Sequence, residues 1–219
     1  MIGAMVPAHN EEDLLGSCLD SLVQAANHPE LLGEAVCIVV VLDACGDRSA
    51  EIAGRRPVQV ISIDDCNVGM ARAVGAEALL MAGARWLAFT DADSEVAPDW
   101  LVAQLALNAD VVCGTVSVAG WRLLPRIVQT MFDAYYVSAE GHRHIHGANL
   151  GMSADSYRRV GGFAPLCAHE DVHLVRALEA AGTDIAWSTA PGVVTSARLD
   201  SRAPEGFGQQ LRLWARACG

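Results

Sequence analysis

Asp91 and Asp93 flank a single alanine at the end of an apolar run, Trp86-Leu87-Ala88-Phe89-Thr90. In extended geometry residues i and i+2 point the same way, so two carboxylates would face one ion. Oxygen ligands of this kind suit Mg²⁺ or Mn²⁺ bridging two phosphates. The plainer alternative is an acidic turn, with Asp99 capping the next helix. A second acidic stretch, Asp43-Ala44-Cys45-Gly46-Asp47-Arg48-Ser49, follows the run Ala35–Leu42. Asp43 stands at a strand tip where a base or ribose would be met, whereas Asp47 reads as a helix cap. A third stretch, Asn67-Val68-Gly69-Met70-Ala71-Arg72, joins a turn, a helix start and one arginine. That combination suits an anionic or planar ligand, with a surface arginine as the bland alternative.

Histidine adds two more patterns. His169-Glu170-Asp171-Val172-His173 fits H-E-x-x-H, in which two imidazoles on one helical face hold zinc and the glutamate acts as base. The longer metzincin form fails, because Arg176 stands where glycine is required. His142, His144 and His146 alternate, which in a strand would put three imidazoles on one face. A loop carrying incidental histidines is the competing account. Trp121, Tyr135 and Tyr136 have the ring surface to stack on sugars, or to pack in a core.

These residues need elements to hold them. Ile2–Val6 reads as a strand, followed by a helix opening at Asn10-Glu11-Glu12-Asp13. Ala35–Leu42 and Val58–Ile63 read as strands, Gly69–Ala82 as a helix, Trp86–Thr90 as a strand and Pro98–Leu107 as a helix. This β-α alternation implies a parallel sheet with helices on both faces. The polar clusters all fall where strands end, and open parallel sheets bind ligands outside those ends. Beyond residue 109 the pattern loosens. Asp110–Val118 reads as a strand, Leu123–Ala139 as a helix and Gly141–Gly151 as a loop. A helix is expected over Glu170–Ala181, and a loop over Ser201–Gly208 before a last helix.

Composition narrows the chemistry. A chain of 219 residues fits a single α/β domain. The net charge of −11 argues against a nucleic-acid binder. All fifteen cationic residues are arginine, which excludes a P-loop lysine, a pyridoxal Schiff base and a Ser–Lys dyad. An acidic protein that binds a diphosphate then needs a cation at the site, and a divalent metal is the obvious supply. The seven cysteines contain no C-x-x-C pair, so neither a zinc ribbon nor a disulfide framework is indicated. No apolar run approaches the roughly 20 residues that span a bilayer, and the N-terminus lacks a signal-peptide pattern. A cytoplasmic protein is expected.

Taken in order, Val6-Pro7-Ala8-His9-Asn10-Glu11, a strand ending at Asp43, Asn67-x-Gly-x-x-Arg72 and Asp91-x-Asp93 resemble the glycosyltransferase family 2 domain. Gly147-Ala148-Asn149, Gly161-Gly162-Phe163 and Glu170-Asp171 are similar to that family's acceptor-side stretch. The resemblance covers about residues 2–200 and implies the GT-A fold, a Rossmann-like α/β architecture with a mostly parallel sheet. It implies one domain, with 1–109 binding the nucleotide sugar and 110–219 the acceptor. By resemblance, Pro7, Ala8 and Glu11 line the nucleotide pocket, Asp43 and Arg72 contact the base, and Asp91 meets the ribose or metal. Asp93 holds the metal, Mn²⁺ or Mg²⁺, with His169 as a candidate third ligand. Asp171 is the general base of an inverting transfer, while Gly147, Ala148, Asn149 and Glu170 sit on the acceptor side.

Two places depart from the family pattern. Leu42-Asp43-Ala44-Cys45 lacks the second aspartate that often stands beside the first, and Gln209-x-x-Arg212 is followed by Leu213 before Trp214. The expected partners are a nucleotide diphosphate sugar and an acceptor hydroxyl whose identity the sequence does not carry; a homodimer stays open. Two other answers stand beside this one, an H-E-x-x-H zinc metallohydrolase and a catalytically silent nucleotide-sugar binder.

Overall fold

The computed structural model describes residues 1–198, 208 and 212–215. The first strand, β1 (Ile2–Ala8), is buried along nearly its whole length and pairs in parallel with β2 (Val36–Asp43) and β4 (Trp86–Phe89). Strand β3 (Gln59–Ile63) adds to the outer side of β2, again in parallel. Between them run α1 (Leu15–Ala26), α2 (Ser49–Gly54) and α3 (Val68–Met81). Strands buried on both faces read as continuous β-branched runs, which is why Val36–Asp43 was legible without alternation.

The chain then leaves the sheet as β5 (Ser94–Val96) and α4 (Trp100–Ala106), returns as β6 (Val111–Gly114), and leaves again as β7 (Ser117–Ala119). Helix α5 (Arg126–Tyr135) follows, then β8 (Leu150–Ser153), α6 (Ala154–Arg159), α7 (Glu170–Ala180), β9 (Ile185–Ser188) and β10 (Val193–Ser196). The main sheet has seven strands in the order β3-β2-β1-β4-β8-β6-β9, and β8 runs antiparallel to both neighbours. A second sheet of three strands, β5-β10-β7, stands apart from it. Two apolar layers enclose the main sheet. One carries Leu15, Leu19, Leu22 and Trp100 from α1 and α4; the other carries Leu79, Leu174, Val175 and Leu178 from α3 and α7.

Several boundaries differ from expectation, each with a local cause. The helix does not open at Asn10, because the Glu11 and Glu12 amides donate to Ser49 Oγ (2.9 Å) and Asp47 Oδ2 (2.8 Å). That segment docks on the next loop and α1 begins at Leu15. The strand expected over 110–118 splits after Gly114, where Asn149 Nδ2 takes the Thr115 carbonyl (2.7 Å) out of the ladder. The run resumes as β7 in the smaller sheet. The helix expected to reach residue 139 stops at Tyr135, since the Tyr136 hydroxyl turns inward to accept from the Val116 amide (2.8 Å). The loop expected over 141–151 gives way at Leu150 to β8. Residues 212–215 are helical, whereas 201–207 and Gln209 lie outside the described residues.

Candidate active site

The carboxyl ends of β1, β2 and β4 open into one cavity of about 410 Å³, closed on its far side by the loop before β8 and the start of α7. Among the described residues six carboxylates line it: Glu11, Asp43, Asp91, Asp93, Glu170 and Asp171. Pro7, Gly147, Ala148 and His169 line it too. The sequence therefore identified most of a wall that is continuous in space, from stretches as far apart as Pro7 and Asp171.

Not every expected residue faces it. Ala8 is buried and absent from the lining, and its carbonyl accepts from the Cys45 thiol (3.3 Å), so the side chain packs in the core. Asn149 is fully buried. Its Nδ2 donates to the Thr115 and Pro191 carbonyls (2.7 and 2.8 Å), and its Oδ1 accepts from the Trp100 indole N–H (2.9 Å). This side chain staples the two sheets together and does not reach an acceptor.

Asp43 and Arg72 are spent inside the protein. Asp43 accepts backbone N–H groups of Asp65, Cys66 and Asn67 at 2.7–2.9 Å, which shapes the loop before α3. Most of its acceptor capacity is thereby used before any base arrives. Arg72 is only 2% exposed. Its Nε donates to Glu170 (2.9 Å), one terminal nitrogen to the Gly147 carbonyl (3.2 Å) and the other to Asp91. It does not contact a base from there. It joins the first half of the chain to the second, across the floor of the cavity.

A guanidinium this deep costs several kcal/mol to desolvate, which only close pairing repays. Burial raises the Glu170 carboxyl above its ordinary range, with Arg72 pulling the other way. Gly147 is glycine for the same reason. A Cβ there would stand 2.4 Å from an Arg72 nitrogen.

Asp91 and Asp93 meet across a turn, closed by Ser94 N–H to the Asp91 carbonyl (3.1 Å), where extended backbone was expected. Burial, and then the neighbouring Asp91 charge, pushes the Asp93 carboxyl up to about 6, against the pull of Arg198. His169 caps α7 with a left-handed backbone (φ 59°). It does not join the aspartates in a metal cluster: among the described residues no group of three or more His, Cys, Asp or Glu side chains surrounds one point. Oxygen donors from Asp91 and Asp93 still fit Mg²⁺ or Mn²⁺, which take one or two carboxylates and complete their shell with substrate phosphates and water. Zinc fits less well. His169 precedes the helix, and Glu170, the expected base of an H-E-x-x-H site, is buried against Arg72.

Asp171 lines the cavity with both oxygens in use, one accepting from the Gly147 amide (2.6 Å) and the other from the Val172 amide (2.7 Å). A carboxylate has about four acceptor positions, so each oxygen keeps one toward the cavity. His142, His144 and His146 form no strand face. Their rings stack in sequence, at centroid distances of 5.5 and 5.9 Å, and His144 stacks on Tyr136 at 4.3 Å. The Tyr136 hydroxyl, which accepts from Val116, is also hydrogen-bonded to His146 Nε2 (3.0 Å). Burial and the other two imidazoles hold His146 down at about 4, so it stays neutral.

Arg198 was missed. Strand β10 pairs with β5, which begins directly after Asp93, and the Ser196 amide donates to the Asp93 carbonyl (3.2 Å). This register brings Arg198 to Asp93 Oδ2 (Nε at 3.1 Å) and into a bidentate pair with Glu11. The available signal was the run Val193–Ser196 with an arginine just past its end, the same strand-end rule that exposed Asp43 and Asp91. Backbone geometry gave a second unread signal. Asn10, Ala44, Cys66 and His169 all have positive φ, between 48° and 59°, in loops around the cavity. Strained residues collect at functional sites.

A family model described as glycosyl transferase family 2 matches residues 4–159. The chain belongs to glycosyl transferase family 2. It has the GT-A fold, as the order of motifs implied. A fragment of TarS from S. aureus in complex with UDP-GlcNAc is 15% identical, with a TM-score of 0.71 over 97% of this chain and 65% of that one. The mannosyltransferase PcManGT from Pyrobaculum calidifontis, in complex with GDP-Man and Mn²⁺, is 17% identical, with a TM-score of 0.69 over 97% and 60%. GalNAc-T7 with UDP, GalNAc and Mn²⁺ is 15% identical, with a TM-score of 0.66 over 93% and 46%. At these identities the likeness is one of fold, and the chain spans 46–65% of those three lengths. No curated protein sequence matches it. Among the described residues no helix is long and apolar enough to cross a membrane.

Proposed function

We propose that this glycosyltransferase moves a sugar from a nucleotide diphosphate donor to an acceptor hydroxyl, with inversion and with a divalent metal, Mn²⁺ or Mg²⁺. The observation that carries this is the cavity at the strand ends, where Asp91 and Asp93 stand across from Asp171 in a family 2 chain. Residues 1–109 supply the donor wall, joined there by Arg198, and the acceptor wall comes from the described residues beyond 109. The ligands bound in the solved structures of similar fold support a UDP- or GDP-type donor and Mn²⁺.

Asp171 accepts the acceptor's proton as its oxygen attacks the anomeric carbon, which is worth about 10²–10⁴-fold. The Gly147 and Val172 amides fix the orientation of the carboxylate. Asp91 and Asp93 would hold the metal, which would supply charge stabilisation to the leaving diphosphate. Pro7 and Glu11 line the donor side, while Gly147, Ala148 and Glu170 lie toward the acceptor. Arg72 positions Asp91 and Glu170 and is not itself a contact to the base.

A thermal-shift panel of UDP, GDP, dTDP, CMP and their sugars, with and without Mn²⁺, tests the reading. Binding raises the melting temperature by mass action. A metal-dependent shift with one nucleotide is expected; no shift with any of them would overturn it. The Asp171→Asn variant separates enzyme from silent binder, since it should lose transfer and keep the donor shift.

A further inference from the structure

Arg198 presents a conflict that the roles given so far leave unresolved. Among the described residues the cavity is lined by six carboxylates and two arginines. Arg72 is committed to Asp91, Glu170 and the Gly147 carbonyl beneath the floor. Arg198 is different. It remains 24% exposed, lines the cavity, and places Nε against Asp93 Oδ2 while both terminal nitrogens grip Glu11. The Asp93 oxygen paired with this nitrogen is also one a cation would need. A guanidinium and a divalent ion at one carboxylate oxygen repel each other, so the two compete. The fork on Glu11 keeps Arg198 in place while its Nε edge is released, and planar guanidinium groups match phosphate as well as carboxylate.

We propose that Arg198 is the donor pocket's resident counter-cation, which pairs with Asp93 in the unliganded protein, competes with a divalent metal for that carboxylate, and turns its Nε edge to the diphosphate once Asp93 is taken. The inference rests on the donor reading above. It gives an acidic cavity in a lysine-free chain a fixed positive charge that persists when the metal leaves.

Isothermal titration of Mn²⁺ alone into wild type, Arg198→Gln and Arg198→Lys, at neutral pH, tests it without any turnover. Removing the competing charge should tighten Mn²⁺ binding roughly tenfold in Arg198→Gln. UDP or GDP, titrated at saturating Mn²⁺, should bind roughly tenfold more weakly to the same variant, because one charge-assisted pair is lost. Arg198→Lys keeps a cation but loses the fork, so its Mn²⁺ affinity should lie between the two. If Arg198→Gln does not fold by circular dichroism, the lysine variant alone decides. Mn²⁺ affinity unchanged or weakened in the folded variants would overturn the proposal, even if wild type binds nucleoside diphosphates. Tighter Mn²⁺ binding in a protein whose wild type takes no nucleoside diphosphate would instead overturn the donor reading.

Discussion

The two ends of the cavity are held together by arginine in opposite ways. At the floor, Arg72 is sealed from solvent, and each of its three nitrogens has an acceptor contributed by a different segment. At the rim, Arg198 bridges Glu11 and Asp93 while part of it still faces the opening. The first arrangement is costly to disturb and leaves almost none of the guanidinium exposed to a ligand. The second can exchange one partner for another at modest cost, because solvent and substrate oxygens are available to it. Two residues of identical chemistry thus divide between architecture and binding, and burial decides which does which.

The sharpest way to break this contrast is to remove each arginine in turn. Arg72→Met should destabilise the fold by about 3–5 kcal/mol, because Glu170, buried beside it, would be left as an uncompensated charge. For a chain of this size that corresponds to a melting temperature lower by roughly 10 °C. Arg198→Gln should lower it far less, and equal losses in the two variants would erase the distinction. On the catalytic side, Asp171→Asn should reduce transfer by about 10²–10⁴-fold while nucleotide affinity measured by titration stays within error.

Asn149→Ala separates stapling from acceptor contact. It leaves the Trp100 N–H and two carbonyls without partners, each worth about 1–3 kcal/mol if unsatisfied. Its melting temperature should therefore fall, with acceptor KM unchanged once the protein is folded. The smallest effect concerns pH. His146 titrates at about 4 in the folded protein and near 6.5 when unfolded, so the unfolded chain binds more protons between those values. Stability should decline as pH falls from about 6.5 to 4, and His146→Gln should flatten part of that decline in a series of melting curves.

Legibility followed the same division. The first half announced itself because β1 to β4 are buried on both faces and end in polar residues, so apolar runs and their punctuation were enough. Asp43, Asp91 and Asp93 were found in this way, yet the partners that decide their roles were not. Nothing in the local sequence shows that three backbone amides fill Asp43, or that Arg72 points inward. The second half hid more. Strand β8 enters antiparallel between β4 and β6 with only four residues, and β10 joins a separate sheet through pairing with β5. Such register is a long-range property that no spacing encodes, and it alone brings Arg198 to Asp93. His142, His144 and His146 were noticed for their alternation, but stacking along Tyr136, and not a strand face, explains their arrangement.

The most direct test of the account is the binding of the nucleoside diphosphate selected by the thermal-shift panel, titrated with and without Mn²⁺ in wild type and Asp93→Asn. Wild type should bind at least about tenfold tighter with the metal than without it, and Asp93→Asn should lose most of that gain while keeping its metal-free affinity. A metal-independent affinity in wild type, or an undiminished metal effect in Asp93→Asn, would contradict the assignment of this cavity as a metal-dependent donor site.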